Sequence, residues 1–305
     1  MHRHPKRLCA LLTVVAVVLP VCALAEAVAL TFDDLPLNGE LPPGTTRVQL
    51  VQRTLTVLHQ HHVPPVYGFV VAKWTEGSQD GADALQAWVA AGEPVGNHTY
   101  SHSDLNAETS EAFLRDVYEN EPVLEILSRA NDWRWFRYPY LREGDTLEKR
   151  RTVRAALKVR GYRIAQVTLD YGDYLWNTPY ARCVGKGNLD AVRWLRSSYL
   201  SAAAAYIDAD RQMAQLVFGH QISHVLLLHL GAFSDQILPD LLQLLRIKGL
   251  QLVTLEEAER DPVYQLDPDA ASPGRNLLEQ WMDVRAIKFP PVTPKPDREL
   301  EAICR

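Results

Sequence analysis

Short apolar runs alternate along this chain with longer stretches in which apolar residues recur every three or four positions. Residues 27–32, 66–71, 94–97, 133–137, 162–169, 224–229 and 250–255 read as strands, several of them apolar without interruption, as in Val225 to Leu228. Between them, 45–62 carries Val48, Val51, Leu55 and Leu58 on one helical face. Further helices are expected over 82–91, 109–130, 146–160, 189–218 (with one break) and 235–248. Gly92, Gly161 and Gly249 stand at three of their ends, and Thr109 or Ser110 is a plausible cap. Strands that alternate with helices and read as buried on both faces imply a parallel sheet covered by helices. About seven such units favour a distorted parallel (β/α) barrel, closed or nearly so, as a single domain. From Asp261 onward Pro, Asp and Arg dominate and the periodicity fades. Residues 261–305 therefore read as an irregular extension that Trp281 and Met282 could dock onto the barrel.

The N-terminus changes the picture of where the protein works. Arg3, Lys6 and Arg7 precede an apolar run from Leu8 to Leu19, broken by Pro20 and followed by the small residues of Ala23-Leu24-Ala25. This is the layout of a cleavable secretory signal over 1–25, and the run is too short to span a bilayer comfortably. An uncleaved anchor is the alternative. Export to a periplasm or the outside is expected. Cleavage removes three positive charges and moves the formal net charge from −5 to −8, so no lasting membrane contact is expected afterwards. The absence of a long basic run speaks against nucleic acid. Cleavage also leaves Cys183 and Cys304, which are candidates to pair in an oxidising compartment and are not spaced as a zinc-binding pair.

In such barrels functional groups gather at the C-terminal ends of the strands. Four strand ends here carry unusual polar residues: Asp33-Asp34, then His98 with His102, then Arg137 followed by Pro139 and Tyr140, then His229. Adjacent residues leaving a strand point to opposite sides, so one aspartate can bind a metal while the other acts as a base; a plain turn is the alternative. Two imidazoles four positions apart can grip one metal, and a carboxylate from another strand completes a two-His-one-carboxylate set. Arg137 follows Trp135 and Phe136 and needs an anionic partner, for which Asp33 is the candidate. His229 alone could equally be a core histidine bonded to backbone. The denser cluster of His59, His61 and His62 reads as the solvated end of a helix.

Taken together these residues resemble the polysaccharide deacetylase family, carbohydrate esterase family 4 with its NodB-homology domain. Thr31-Phe32-Asp33-Asp34 is similar to the first family motif and Gly96-Asn97-His98-Thr99-Tyr100-Ser101-His102 to the second. Arg137-Tyr138-Pro139-Tyr140, Asp170-Tyr171-Gly172-Asp173-Tyr174 and Leu227-Leu228-His229 follow as the third, fourth and fifth, in family order. The resemblance runs from about residue 27 to 258 and sets a domain over 26–260. It implies Asp33 as general base, Asp34, His98 and His102 as ligands of one divalent metal, and Arg137 as the group that holds Asp33 charged and oriented. It implies the backbone N–H of Tyr140 on the oxyanion and His229 as general acid, tuned by Asp170 or Asp173. Zinc is the expected metal, with manganese, cobalt or nickel fitting the same ligands. Leu35-Pro36 stands where the family has Gly. Tyr174 stands where it has Trp, with Trp176 two positions on as the substitute substrate contact. The implied function is metal-dependent hydrolysis of acetyl groups from N-acetylated sugars of a glycan. The alternatives are an amidase acting on a non-sugar amide or imide, and a sugar-binding protein without turnover.

Overall fold

The structure is a computed structural model and describes residues 26–128 and 132–305. The expected signal over 1–25 lies outside the described residues. The strands are β1 (Glu26–Asn38), β2 (Tyr67–Val70), β3 (Val95–Asn97), β4 (Trp135–Phe136), β5 (Arg142–Gly144), β6 (Arg163–Ile164), β7 (His224–Gly231), β8 (Leu250–Val253) and β9 (Ser272–Pro273). The helices are α1 (Arg47–Gln60), α2 (Gln79–Ala90), α3 (Ser110–Glu119), α4 (Glu121–Leu127), α5 (Leu147–Val159), α6 (Asn177–Gly185), α7 (Leu189–Phe218), α8 (Ser234–Ile247), α9 (Leu255–Ala258), α10 (Leu277–Val284) and α11 (Asp297–Ala302).

The main sheet has seven strands in the order β6-β4-β3-β2-β1-β7, with β8 on the first residues of β1. Every pairing in it is parallel. Beyond β6 the chain swings across to β7, where Leu169 bridges Leu226, so the outer ends of the curled sheet meet. The expected distorted (β/α) barrel is the observed fold. Its central strands are buried on both faces, as in Val28 to Leu30 and Val225 to Leu228, and helices cover them. Thr46, Thr109 and Thr146 cap α1, α3 and α5 by accepting a backbone N–H from the first turn.

Four local expectations change. The helix expected over 109–130 is two, α3 and α4, because Pro122 has no N–H for the ladder and crowds the preceding turn. The break expected within 189–218 is absent: α7 runs through 30 residues, contains neither Gly nor Pro, and stops at Gly219 in the left-handed region. Helix α6, missed by periodicity, fills the long connection before it. The tail is more ordered than its composition suggests. It forms α10 and α11, and β9 pairs antiparallel with β5. Met282 and Leu278 pack against Met213 and Val217 of α7, with Trp281 at the edge. Cys183 on α6 is bonded to Cys304 just after α11, with Cα atoms 5.1 Å apart.

Candidate active site

β1 does not stop at its aspartates. Asp33 pairs with His229 of β7, the register then shifts, and pairing resumes at Asn38 with Gly231. Within that irregular stretch Asp34 takes φ 65, a left-handed conformation that non-glycine residues rarely adopt. Thr99, His102 and Tyr140 do the same at φ 61, 61 and 59. Such strain gathers where surrounding structure over-determines the backbone. The local supports are visible. Asn97 Oδ1 accepts the N–H of Thr99 at 2.9 Å, its Nδ2 donates to Val117 O at 2.9 Å, and Asn120 Nδ2 donates to Asn97 Oδ1 at 3.0 Å. Gly96 is required beneath them, because a Cβ there would lie 2.6 Å from the Phe69 ring.

The loops bring Asp34, His98 and His102 together, with one potential ligand atom of each within 4.8 Å of the others. Asp34 Oδ1 lies 3.6 Å from His98 Nε2 and 3.2 Å from His102 Nε2. Ligands about 2.1 Å from a tetrahedral zinc sit roughly 3.4 Å apart, so the spacing fits a metal of that size. Two further observations fit. Asp34 Oδ1 is buried without a hydrogen-bond donor. His98 Nδ1 lies 2.8 Å from the carbonyl of Arg137, which fixes the tautomer with Nδ1–H donating and leaves Nε2 as a lone-pair donor toward Asp34. Burial pushes His98 well below its usual pKa and keeps it neutral, as a ligand must be. Burial acts upward on Asp34, but the imidazoles of His102, His229 and His98 outweigh it and hold the carboxyl below its usual range.

Asp33 keeps Oδ2 3.7 Å from His98 Nε2 and turns its other oxygen to Arg137. Its Oδ1 accepts from Arg137 Nη1 at 3.0 Å, and the guanidinium is itself held by Ala165 O at 2.7 Å and Thr31 Oγ1 at 3.2 Å, over the Phe69 ring. The resemblance implied that Arg137 keeps Asp33 charged. Here burial outweighs the pull of Arg137 and His229 and lifts the carboxyl to about 6. Across the site, His229 Nδ1 donates to Asp173 Oδ1 at 2.7 Å, and the His229 N–H donates to Asp173 Oδ2 at 2.8 Å. Burial disfavours the imidazolium, but Asp173, then Asp34 and Asp33, raise His229 to about 10. Asp173 is therefore the partner that the sequence left undecided. Asp170 instead accepts the N–H of Gly172 at 2.8 Å and lines the cleft, its pKa raised by burial.

These groups open into a cleft of about 560 Å³. Tyr140 forms part of its wall, 4.4 Å ring to ring from His102 and 54% exposed. Trp176 does not. It is fully buried, stacked edge-on with Tyr199, and its Nε1 donates to Ser198 Oγ at 2.9 Å, so its side chain is core and cannot touch substrate. Tyr174 takes the cleft position, half exposed and 5.1 Å from the His229 ring. The turn from Asp173 to Trp176 sends the two aromatic side chains to opposite sides. Periodicity also missed Trp74, whose ring lies 5.6 Å from His102, and the wall formed by Arg142 with Pro273 and Gly274 of the tail. An isolated Trp in a loop and a Pro-Gly pair in a polar tail carry no spacing signal. The placement of Pro273 and Gly274 depends on the β5–β9 pairing.

The sequence model of the polysaccharide deacetylase family matches residues 21–165. A chitin deacetylase of Arthroderma benhamiae is 27% identical over 158 residues, 52% of this chain and 38% of that protein. A chitooligosaccharide deacetylase of Sinorhizobium fredii is 33% identical over 116 residues, 38% of this chain and 47% of that one. The chain thus spans less than half the length of these relatives. Among solved structures, the chitin deacetylase of Colletotrichum lindemuthianum superposes with a TM-score of 0.52 at 23% identity, covering 76% of this chain and 86% of that one. At that identity the likeness speaks for the fold. The matched sequence and the shared fold meet on the same strands that carry Asp33, His98 and Arg137, and over residues 21–165 the chain is similar to the polysaccharide deacetylase family.

Proposed function

We propose that this protein is a metal-dependent deacetylase that hydrolyses the acetamido group of N-acetylated sugars in a glycan of the chitin or chitooligosaccharide type. The observation that carries the reading is the pairing of two opposed ionisable groups across one metal-competent triad: Asp33 with Arg137 on one side, His229 with Asp173 on the other. Binding a sugar needs neither an acid nor a base, so the arrangement favours turnover over a lectin-like role. Asp34, His98 and His102 would hold a divalent metal, zinc by the ligand set. When bound, it supplies polarisation of the acetyl carbonyl and a more acidic water.

The chain's own residues would do the rest. Asp33, ionised above about pH 6, accepts the proton of the attacking water. Arg137 fixes the orientation of that carboxylate. The backbone N–H at Tyr140 would stabilise the oxygen on which negative charge grows. His229, kept charged by Asp173, delivers a proton to the departing amine, which is otherwise too basic to leave. Tyr140, Tyr174 and Trp74 offer apolar ring surface for sugar faces. Residues 26–260 would form the catalytic domain and 261–305 an extension that completes one wall. The protein would act after export, with its leader removed.

Acetate release from chitooligosaccharides by the purified protein tests the reading. Activity should vanish with a chelator and return with added zinc. No acetate from any N-acetylated glycan with the metal supplied would refute it.

A further inference from the structure

Beyond the ionisable groups, one chain of neutral side chains ends on the candidate metal site. Asn177, at the start of α6, is 3% exposed. Its Oδ1 accepts the N–H of Phe233 at 3.1 Å. A backbone N–H can only donate, so the amide of Asn177 is locked with Nδ2 pointing the other way. That Nδ2 reaches Asn38 Oδ1 at 3.5 Å. Asn38 is then locked in turn, and its Nδ2 donates to Asp34 Oδ2 at 2.6 Å. Each amide orientation follows from the one before, beginning with a donor that cannot be reversed.

The backbone is shaped around this chain. β1 extends beyond the site far enough for Asn38 to pair with Gly231. Gly231 has to lack a side chain, because a Cβ there would lie 1.9 Å from Asn177 Nδ2. Its N–H is taken by Ser234 Oγ at 2.8 Å, and the Ser234 hydroxyl donates to the carbonyl of His229 at 3.0 Å. The end of β7 is thereby clamped on both sides of the space that Asn177 fills.

We propose that Asn38 and Asn177 form a positioning relay for the metal site: Asn38 occupies Asp34 Oδ2, so that Asp34 presents Oδ1 alone to a metal shared with His98 and His102, and Asn177 sets the direction of Asn38. The inference rests on the metal-binding reading above. Partners that orient a ligand typically alter metal affinity by 10- to 100-fold when lost.

The test is zinc affinity, measured on the metal-stripped protein by competition with a chromogenic chelator, with the Tm of each metal-free protein as the control for folding. Asn38→Ala should weaken zinc binding about tenfold or more and leave the metal-free Tm close to wild type. Asn177→Asp keeps the acceptor that Phe233 needs and loses the donor. Asn38 should then turn its own donor to the new carboxylate and set its carbonyl against Asp34, again weakening zinc. In an Asn38→Ala background, Asn177→Asp should have no further effect, the non-additivity of a serial relay. Zinc affinity of Asn38→Ala within twofold of wild type overturns the proposal, and so do additive losses in the double variant. If Asn38→Ala does not fold, Asn177→Asp decides: unchanged zinc affinity there refutes the relay. Wild-type protein that binds no zinc would remove the metal-dependent reading itself, a distinct outcome from a wild type that binds and an Asn38 variant that binds equally well.

Discussion

Asp33 and Asp34 are neighbours in the chain and sit in different environments. Asp33 meets a guanidinium through one oxygen and His98 through the other, while Asp34 meets two imidazoles through a single oxygen. Division of labour between adjacent carboxylates is thus set by what each faces, and it predicts different losses. Asp33→Asn keeps the acceptor for Arg137 but cannot take a proton; turnover should fall by roughly a hundredfold or more while zinc affinity stays near wild type. Full activity in this variant, or lost zinc, would reverse the two assignments. His229 is argued as an acid from its short contact with Asp173. His229→Ala should harm an N-acetyl amide far more than an activated acetyl ester, whose leaving group departs without a proton. A comparison of kcat on both substrates reads this, and equal losses would make His229 structural.

At the scale of elements, the site is a product of irregularities between regular pieces. The register shift in β1, the turn that carries Asp173 after left-handed Gly172, and the left-handed residues around His102 and Tyr140 each place a side chain that an ideal strand or helix would misdirect. The tail acts as an element of the site through β9, which pairs with β5 and brings Pro273 and Gly274 to the cleft. Its far end is tied down by the bond between Cys183 and Cys304, which closes a loop with a sequence separation of 121. Loss of a cross-link of that span costs about 2–5 kcal/mol in the chain-entropy account. The double variant Cys183→Ser/Cys304→Ser should therefore melt several degrees below wild type under oxidising conditions, and wild type should fall to match it when reduced. Scanning calorimetry with and without reductant checks both; identical melting of variant and oxidised wild type would show that the bond adds nothing.

For the whole molecule, the expected leader over 1–25 ends just before Glu26. The described part of β1 starts there, with the Glu26 carboxylate held by Arg211 and by His224 Nε2 at 2.9 Å. Among the described residues no helix is long and apolar enough to cross a membrane. Expressed in an exporting host, the protein should be found outside the cytoplasm with Glu26 at its N-terminus by intact mass. A mature chain that retains 11–19 would be anchored instead. The alternation of apolar runs with amphipathic stretches was enough to indicate the barrel, because burial on both faces of the central strands leaves a parallel sheet wrapped in helices as the consistent packing. The motif residues were equally legible, since strand ends in such a barrel face one mouth and His98 and His102 share a turn. Three things were not. Which of Asp170 and Asp173 meets His229 depends on a turn two residues long. Whether Tyr174 or Trp176 enters the cleft depends on the same turn, which buries the larger ring against Tyr199. The link from Asn177 through Asn38 to Asp34 joins residues 139 positions apart, and amides carry neither charge nor periodicity to announce it. Local pattern reports which residues are buried and which strand ends carry polar groups. Side-chain direction across a turn, and contact between distant neutral groups, are decided by packing that only the folded chain brings about.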